Sequence, residues 1–559
     1  MQVLQIQELK LDIIQKNTKT PLVKSISFSL SEGKTTALVG ESGSGKSLTA
    51  LSILRLLPKK MECGGSILFH SQGKKIELTT ASDGELQKIR GKEIAMIFQE
   101  PMSALNPLIR CGDQISESMI RHLRISAKEA RVRTLDLIKK VELDDAEVIF
   151  ERYPHQLSGG QQQRIMIAMA ISCEPRILIA DEPTTALDVQ VQEQILKLIR
   201  KLQVETKMAV LLITHDIGLV EQYADEVMVM YKGEMMEQGT SNQILHHSNH
   251  PYTKGLLACR PLFSYKGKRL PVLEDFFPGI PSEDSNKKSA IIGHSTFSPD
   301  IEEKKILEVY DASFGYGQTS GLFIKKSEIS HTVSEVSFDV RKGEMMGLVG
   351  ESGSGKSTMG KAILRLLPIL KGSITLHGKD INQYNRKEFA RLIQVVFQDL
   401  YGSLNPGMKV GDAILEPMRI HGLFDSDKNR REKTVDLLEM VGLRADDAQK
   451  YPHEFSGGQR QRICISRALS LNPSFLIFDE SVSALDVSIQ SQILNLIMEL
   501  RIKLGFSGLF ISHNLNVIHY ISDRILVMQK GKIIEQGITA QVLLNPVQEY
   551  TRKLVSASV

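Results

Sequence analysis

The octapeptide Gly40-Glu41-Ser42-Gly43-Ser44-Gly45-Lys46-Ser47 lies between an apolar run, TTALVG, and a helical pattern, LTALSILRLL. It fits the spacing GxxxxGK[ST], whose chemistry is phosphate binding. Its glycines let backbone N–H groups close around phosphate oxygens, and the helix that follows adds a favourable N-terminal potential. Lys46 can reach β- and γ-phosphates, and the Ser47 hydroxyl can ligate Mg²⁺. The same eight letters recur as Gly350-Glu351-Ser352-Gly353-Ser354-Gly355-Lys356-Ser357. Lys356 and Ser357 inherit those roles.

Two further patterns accompany each loop. The runs ILIAD and FLIFD end buried strands in the carboxylate pairs Asp181-Glu182 and Asp479-Glu480. Open α/β sheets place their ligands at the carboxyl ends of strands. Asp181 and Asp479 suit a Mg²⁺ shell through water, and Glu182 and Glu480 suit polarisation of an attacking water. Ser158-Gly159-Gly160-Gln161 and Ser456-Gly457-Gly458-Gln459 each open an apolar helical stretch. Free amides, a hydroxyl and a positive dipole end make such a turn a second anion site, whereas a lone Ser-Gly-Gly is more often an ordinary N-cap. The recurrence of both turns, 23 residues ahead of each aspartate, favours the anion-site reading.

These elements belong to one long domain written twice. Residues 33–58 and 343–368 agree at 17 of 26 positions at an offset of 310, and the later landmarks align at 298, so the first copy carries 12 extra residues. Most of them fall around SQGKKIELTTASDGE. Residues 263–304 are rich in Pro, Ser, Gly and charge and read as a linker. The expected domains are 1–262, with a helical subdomain at about 101–160, and 305–559, with one at about 400–458, each closing on a C-terminal extension. Alternating residues such as Ile26, Phe28 and Leu30 predict β-structure at the start of each copy. Short apolar runs separated by helical patterns then predict an α/β fold with a largely parallel sheet.

Composition removes several alternatives. Across 559 residues, 42% hydrophobic and 24% charged content excludes wholesale disorder, and a net charge of +4 is too weak to argue for a nucleic-acid partner. Five scattered cysteines without CxxC spacing support neither a disulfide framework nor a zinc or iron–sulfur site. The opening MQVLQIQELKLDII has no signal-peptide pattern, and apolar runs such as Met208–Ile213 are far below the roughly 18 residues that span a bilayer.

Together these motifs resemble a tandem pair of ATP-binding-cassette domains, over nearly all of the chain apart from the linker. The resemblance implies two P-loop NTPase units, each a RecA-like core with a β-rich N-terminal part and a helical subdomain. It assigns Gln99 and Gln398 to Mg²⁺ contact and to the start of the transporter-facing loop. Asp188 and Asp486 match the loop that crosses between domains, and His215 and His513 match the histidine that senses the γ-phosphate. It also implies that Ser456 and Gly458 complete the Lys46 site while Ser158 and Gly160 complete the Lys356 site, so one chain pairs its own halves. Tyr316 matches the aromatic that stacks on adenine, where the first copy offers Ile13. Since such stacking is worth about 1–3 kcal/mol, ATP is expected to sit more weakly at Lys46.

The segments EPMSALNPL and DLYGSLNPG, and the tails His250-Pro251-Tyr252-Thr253 and Tyr550-Thr551, resemble the peptide/nickel importer branch of that family. The best likeness there is to fused two-cassette ATPases of microcin C and oligopeptide uptake, with fused glutathione-importer ATPases weighed second. That branch implies an ATPase at the cytoplasmic face of a bacterial inner membrane, with two permease chains, an external solute-binding protein and no nucleic acid, one copy per transporter. Its cofactors would be ATP and Mg²⁺. With no cysteine after Cys259 in the first tail, no iron–sulfur cluster is expected. A soluble tandem cassette acting on ribosomes or nucleic acid is the alternative.

Overall fold

A computed structural model describes residues 1–15, 18–71, 73–184, 189–277, 300–317, 329–483 and 485–556. The chain divides into two compact units, Met1–Leu187 with Val191–Leu257, and Asp188–Gln190 with Ala258–Val559.

In the first unit, β1 (Gln2–Gln15), β2 (Thr18–Ser31), β4 (Met61–Ser71) and β5 (Lys74–Glu77) form an antiparallel sheet in the order β2-β1-β4-β5. Its apolar alternation packs Ile26, Phe28 and Leu30 inward. The core sheet has the order β10-β9-β3-β8-β7-β6, built from β3 (Thr35–Val39), β6 (Ile94–Ile97), β7 (Ile177–Asp181), β8 (Ala209–Thr214), β9 (Glu226–Tyr231) and β10 (Glu234–Thr240). All its pairings are parallel except β9 with β10. Strands β3, β7 and β8 are buried at every position, as continuous apolar runs covered on both faces must be.

The second unit repeats this plan. Its antiparallel sheet, β12-β11-β14-β15, uses β11 (Lys305–Gly317), β12 (Ile329–Arg341), β14 (Ile369–Leu376) and β15 (Lys379–Asp380). The core sheet, β16-β17-β18-β13-β19-β20, uses β13 (Met345–Val349), β16 (Ile393–Val396), β17 (Phe475–Asp479), β18 (Ser507–Ile511), β19 (Arg524–Gln529) and β20 (Lys532–Ile538). Of the 11 extra residues between Lys46 and Gln99, five lengthen one hairpin: β4 and β5 run 11 and 4 residues where β14 and β15 run 8 and 2. Helical segments fill 101–151 and 400–440, between the strands that end at Ile97 and Val396 and the helices that begin at Gly159 and Gly457.

The second unit also takes in Ala258–Phe277, which sequence composition divides between the end of the first domain and the linker. This strap lies on the helices Val487–Leu504 and Leu515–Ile521. Asn495 clamps the Leu270 backbone, its Oδ1 accepting from Leu270 N and its Nδ2 donating to Leu270 O, both at 2.9 Å. Phe263 stacks on His519 at 4.2 Å between ring centroids, and Ser491 donates to the Cys259 carbonyl. Lys266 donates to the Tyr520 and Ser522 carbonyls.

Candidate functional site

Strand order positions the chemistry. In the first core sheet β3, β8, β7 and β6 are neighbours and run parallel, so their carboxyl ends lie side by side. Those four ends carry the lysine loop, His215, Asp181-Glu182 and Gln99. The second core sheet does the same with β13, β18, β17 and β16, carrying the Lys356 loop, His513, Asp479-Glu480 and Gln398.

Each lysine loop is folded tightly against the end of the next-to-last strand of its unit, β9 or β19. A Cβ on Gly40 would lie 2.2 Å from the Met230 carbonyl oxygen, and one on Gly350 would lie 2.2 Å from that of Met528. Only glycine admits this approach. Lys46 and Lys356 are buried, and each Nζ donates to two loop carbonyls, those of Gly40 and Glu41 or of Gly350 and Glu351, at 2.7 and 2.8 Å. The amine is thus held by neutral oxygens that an anionic phosphate can replace. The hydroxyls of Ser44 and Ser354 are buried with no hydrogen-bond partner, an unmet donor in each loop.

Beside the loops, Ser47 Oγ donates to Asp181 Oδ1 at 3.0 Å and Ser357 Oγ donates to Asp479 Oδ1 at 3.2 Å. Burial pushes both aspartate carboxyls upward, against the opposing pull of the serine hydroxyl. A hydroxyl, a carboxylate and a nearby glutamine amide are hard oxygen donors, too few for an all-protein cage. This set fits Mg²⁺, which keeps several waters and takes phosphate oxygens.

The glutamates are oriented from two sides. Gln99 Nε2 donates to Glu182 Oε2 at 3.0 Å, and His215 Nδ1 lies 3.4 Å from the same oxygen. In the second cassette the corresponding distances to Glu480 Oε2 are 3.2 and 3.6 Å. The His513 hydrogen bond and charge hold the Glu480 carboxyl below its ordinary value despite burial. Glu182 and Glu480 also share a backbone strain, with φ of +45° and +48°. Non-glycine residues seldom adopt that region, and such strain gathers at functional positions. Sequence gives no signal for it, because no glycine marks the turn.

The Ser-Gly-Gly turns are a separate feature. Ser158 and Ser456 N-cap the helices Gly159–Ile171 and Gly457–Leu469 as capping boxes closed by Gln161 and Gln459, whose side chains are used locally. Neither first turn carries an acidic residue, which leaves the dipole ends un-neutralised for an anion. Gly160 and Gly458 are needed for packing: a Cβ would meet Val191 Cγ1 at 2.9 Å or Ile489 Cγ2 at 2.5 Å. Asp486 stands at the N-cap position of the helix Val487–Leu504 without a side-chain capping bond, while Asp188 falls outside the described residues. The backbone of Tyr316 lies in β11 paired with Ser330, and Ile13 lies in β1 paired with Thr20.

The tail tyrosines reach this site, which their sequence pattern did not suggest. Glu41 N donates to the Tyr252 hydroxyl oxygen at 3.4 Å, and Glu351 N donates to that of Tyr550 at 3.0 Å.

Residues 23–185 and 333–483 match the family described as ABC transporter, and 236–279 match the oligopeptide/dipeptide transporter C-terminal region. Over 562 aligned residues, 99% of this chain and 89% of each relative, it is 47% identical to the glutathione import ATP-binding protein GsiA of Escherichia coli strain K12 and of Shigella sonnei strain Ss046. The counterpart from Salmonella choleraesuis strain SC-B67 is 46% identical over the same span. Neither the family matches nor these relatives support a cassette acting on ribosomes or nucleic acid.

Proposed function

The chain belongs to the ABC transporter family, and we propose that it is the ATP-hydrolysing subunit that powers uptake of peptides or peptide-like solutes, glutathione among them. The solute would pass through two separate permease chains, delivered by an external binding protein, with this chain bound at the cytoplasmic face of the membrane. Among the described residues no helix is long and apolar enough to cross a membrane.

In this reading Lys46 and Lys356 leave their loop carbonyls for the β- and γ-phosphates of ATP. Ser47, Gln99 and Asp181, and Ser357, Gln398 and Asp479, would hold Mg²⁺, which supplies charge neutralisation at the phosphates. Glu182 and Glu480 orient and polarise the attacking water, while the glutamine and histidine hold each glutamate in place. Ser456 to Gln459 complete the Lys46 site and Ser158 to Gln161 the Lys356 site, with Asp188 and Asp486 at the crossing loops. Tyr316 stacks on the base at Lys356. Because both cassettes keep the full set, both sites hydrolyse ATP, and loss of the γ-phosphate releases what holds the halves together.

The observation that supports import over other work is the match of 236–279 to the oligopeptide/dipeptide transporter extension, on a chain that matches the ABC transporter family twice. The test is reconstitution with two permeases and a binding protein in vesicles. ATP-dependent peptide accumulation that fails in Lys46→Ala/Lys356→Ala is expected. An ATPase stimulated by ribosomes or RNA and indifferent to permeases would overturn the reading.

A further inference from the structure

The C-terminal extensions are distant from the lysine loops in sequence, Tyr252 lying 211 residues from Glu41 and Tyr550 199 residues from Glu351. We propose that Tyr252 and Tyr550 are positioning residues of the two ATP sites, each fixing the first peptide plane of its lysine loop. The inference rests on the reading of those loops as ATP sites and deepens it.

The argument starts from one peptide unit. The Gly40–Glu41 peptide presents its C=O to Lys46 Nζ at 2.7 Å and its N–H to the Tyr252 hydroxyl at 3.4 Å. The Gly350–Glu351 peptide does the same with Lys356 at 2.7 Å and Tyr550 at 3.0 Å. When a phosphate draws the amine away, the carbonyl loses its donor. The tyrosine then remains as the contact that keeps this plane from rotating. Amides later in the loop must point at phosphate, so a loop fixed at its start loses less conformational freedom on binding.

Each tyrosine is itself built in. Tyr252 is fully buried and its ring packs against Tyr231 at 4.6 Å between centroids, while Tyr550 is 9% exposed. The tail helices Pro251–Ala258 and Glu549–Ser556 are held by one glutamate each from the last strand of the core sheet. Glu237 accepts from Asn249 N at 2.8 Å and His250 N at 3.3 Å. Glu535 accepts from Val547 N at 2.9 Å, Gln548 N at 3.1 Å and the Thr551 hydroxyl. The turn before each glutamate also binds the loop, through Gly233 N to Ser44 O at 3.0 Å and Gly531 N to Ser354 O at 2.9 Å. Strand, tail helix and loop thus form one connected support, made twice, with strand and tail residues 298 apart and loop residues 310 apart.

The test removes one oxygen per site in the full chain. Tyr550→Phe is made where Lys46→Ala has disabled the other loop, and Tyr252→Phe is made with Lys356→Ala. ATP affinity, KM, kcat and Tm are then compared with each single-lysine parent. Loss of a hydrogen bond worth about 0.5–1.5 kcal/mol predicts ATP binding weakened about two- to tenfold, with KM rising alike and kcat within about twofold. Unchanged ATP affinity and KM in both tyrosine variants overturn the proposal, whether or not Tm falls. Parents that bind no ATP would instead overturn the assignment of the loops themselves.

Discussion

The two cassettes keep one surface and have changed another. Around the lysine loops their geometry repeats closely: the lysine contacts are 2.7 and 2.8 Å in both, and the glutamate sits at positive φ in both. On the face formed by the helices after the carboxylate strand and the histidine strand they differ. The first cassette carries Glu193, Lys197 and Glu221 there, in solvent-facing ion pairs, Lys197 with Glu193 at 2.5 Å and Glu221 with His246 at 3.6 Å. The second carries Ser491, Asn495 and His519 at the equivalent places, buried beneath the strap Ala258–Phe277. Exposed ion pairs contribute little and bind no backbone, whereas a buried amide side chain must find partners and so selects what covers it. The two copies therefore share the geometry of the loops and carboxylates, while one helix face of the second accepts the chain that leaves the first tail helix.

The largest effect tests the preserved surface. Glu182→Gln and Glu480→Gln each keep shape and hydrogen-bonding partners but remove the base. Each is expected to cut turnover at its own site by about 10²- to 10⁴-fold while ATP binding persists. Steady-state ATPase and nucleotide binding on the two single variants and the double variant measure this. Equal losses fit two equivalent sites. A single variant that abolishes all turnover while its mirror changes little would mean that likeness of geometry does not carry likeness of work.

How much of this was legible before folding follows from where each signal lies. The lysine loops and carboxylate pairs were readable because each adjoins a short apolar strand, and the histidines through the family resemblance and their spacing of 33 residues beyond each glutamate; sheet order then brings those strand ends together. The Ser-Gly-Gly turns were readable as helix starts, and the structure adds why the second glycine is needed, a close approach by Val191 or Ile489. The strap was not readable. Its Pro, Lys and Gly content has the composition of a linker, and its receptor residues are polar letters inside amphipathic helices, where a polar letter ordinarily marks a solvent-facing position. Only contact across some 225 residues turns Asn495 into a clamp for Leu270. Tyr252 and Tyr550 lay between these cases, recognisable as a repeated tail but with no sign that their hydroxyls reach Glu41 and Glu351.

A smaller effect tests the changed surface by exchanging the residues that distinguish it. Asn495→Lys installs the first cassette's residue, removes both bonds to the Leu270 backbone and strips the Tyr520 hydroxyl of its acceptor at 2.9 Å. Leaving buried partners unmet costs about 1–3 kcal/mol, so hydrogen exchange of the strap amides should speed up about 5- to 150-fold. The mirror change Lys197→Asn, at a side chain 64% exposed, should shift local exchange by little. Strap protection unaffected by Asn495→Lys would remove the clamp as the reason for the difference.

The smallest effect is a pH dependence that only the second cassette should possess. Burial under Phe263, with Lys266 nearby, lowers the His519 imidazole to about 4 from an ordinary 6.5. A released strap exposes the ring, which then takes up a proton at the ordinary value. Between pH 6.5 and 4 the released form binds the extra proton, so docking is strongest above 6.5 and weakens as pH falls, by up to about tenfold per unit. Lys266 behaves differently in range. Burial lowers its amine to about 8 from 10.5, so its contribution strengthens docking only as pH rises from 8 towards 10.5 and adds no slope below neutrality. Strap protection factors, taken relative to the intrinsic exchange rate at each pH, should therefore fall between pH 7.5 and 5.5 in the native chain, and His519→Phe, which keeps a ring against Phe263, should flatten that slope. A slope that persists in His519→Phe would assign the titration to another group. The Glu221 side chain is 51% exposed, so Glu221→His in the first cassette should leave local protection there without this slope.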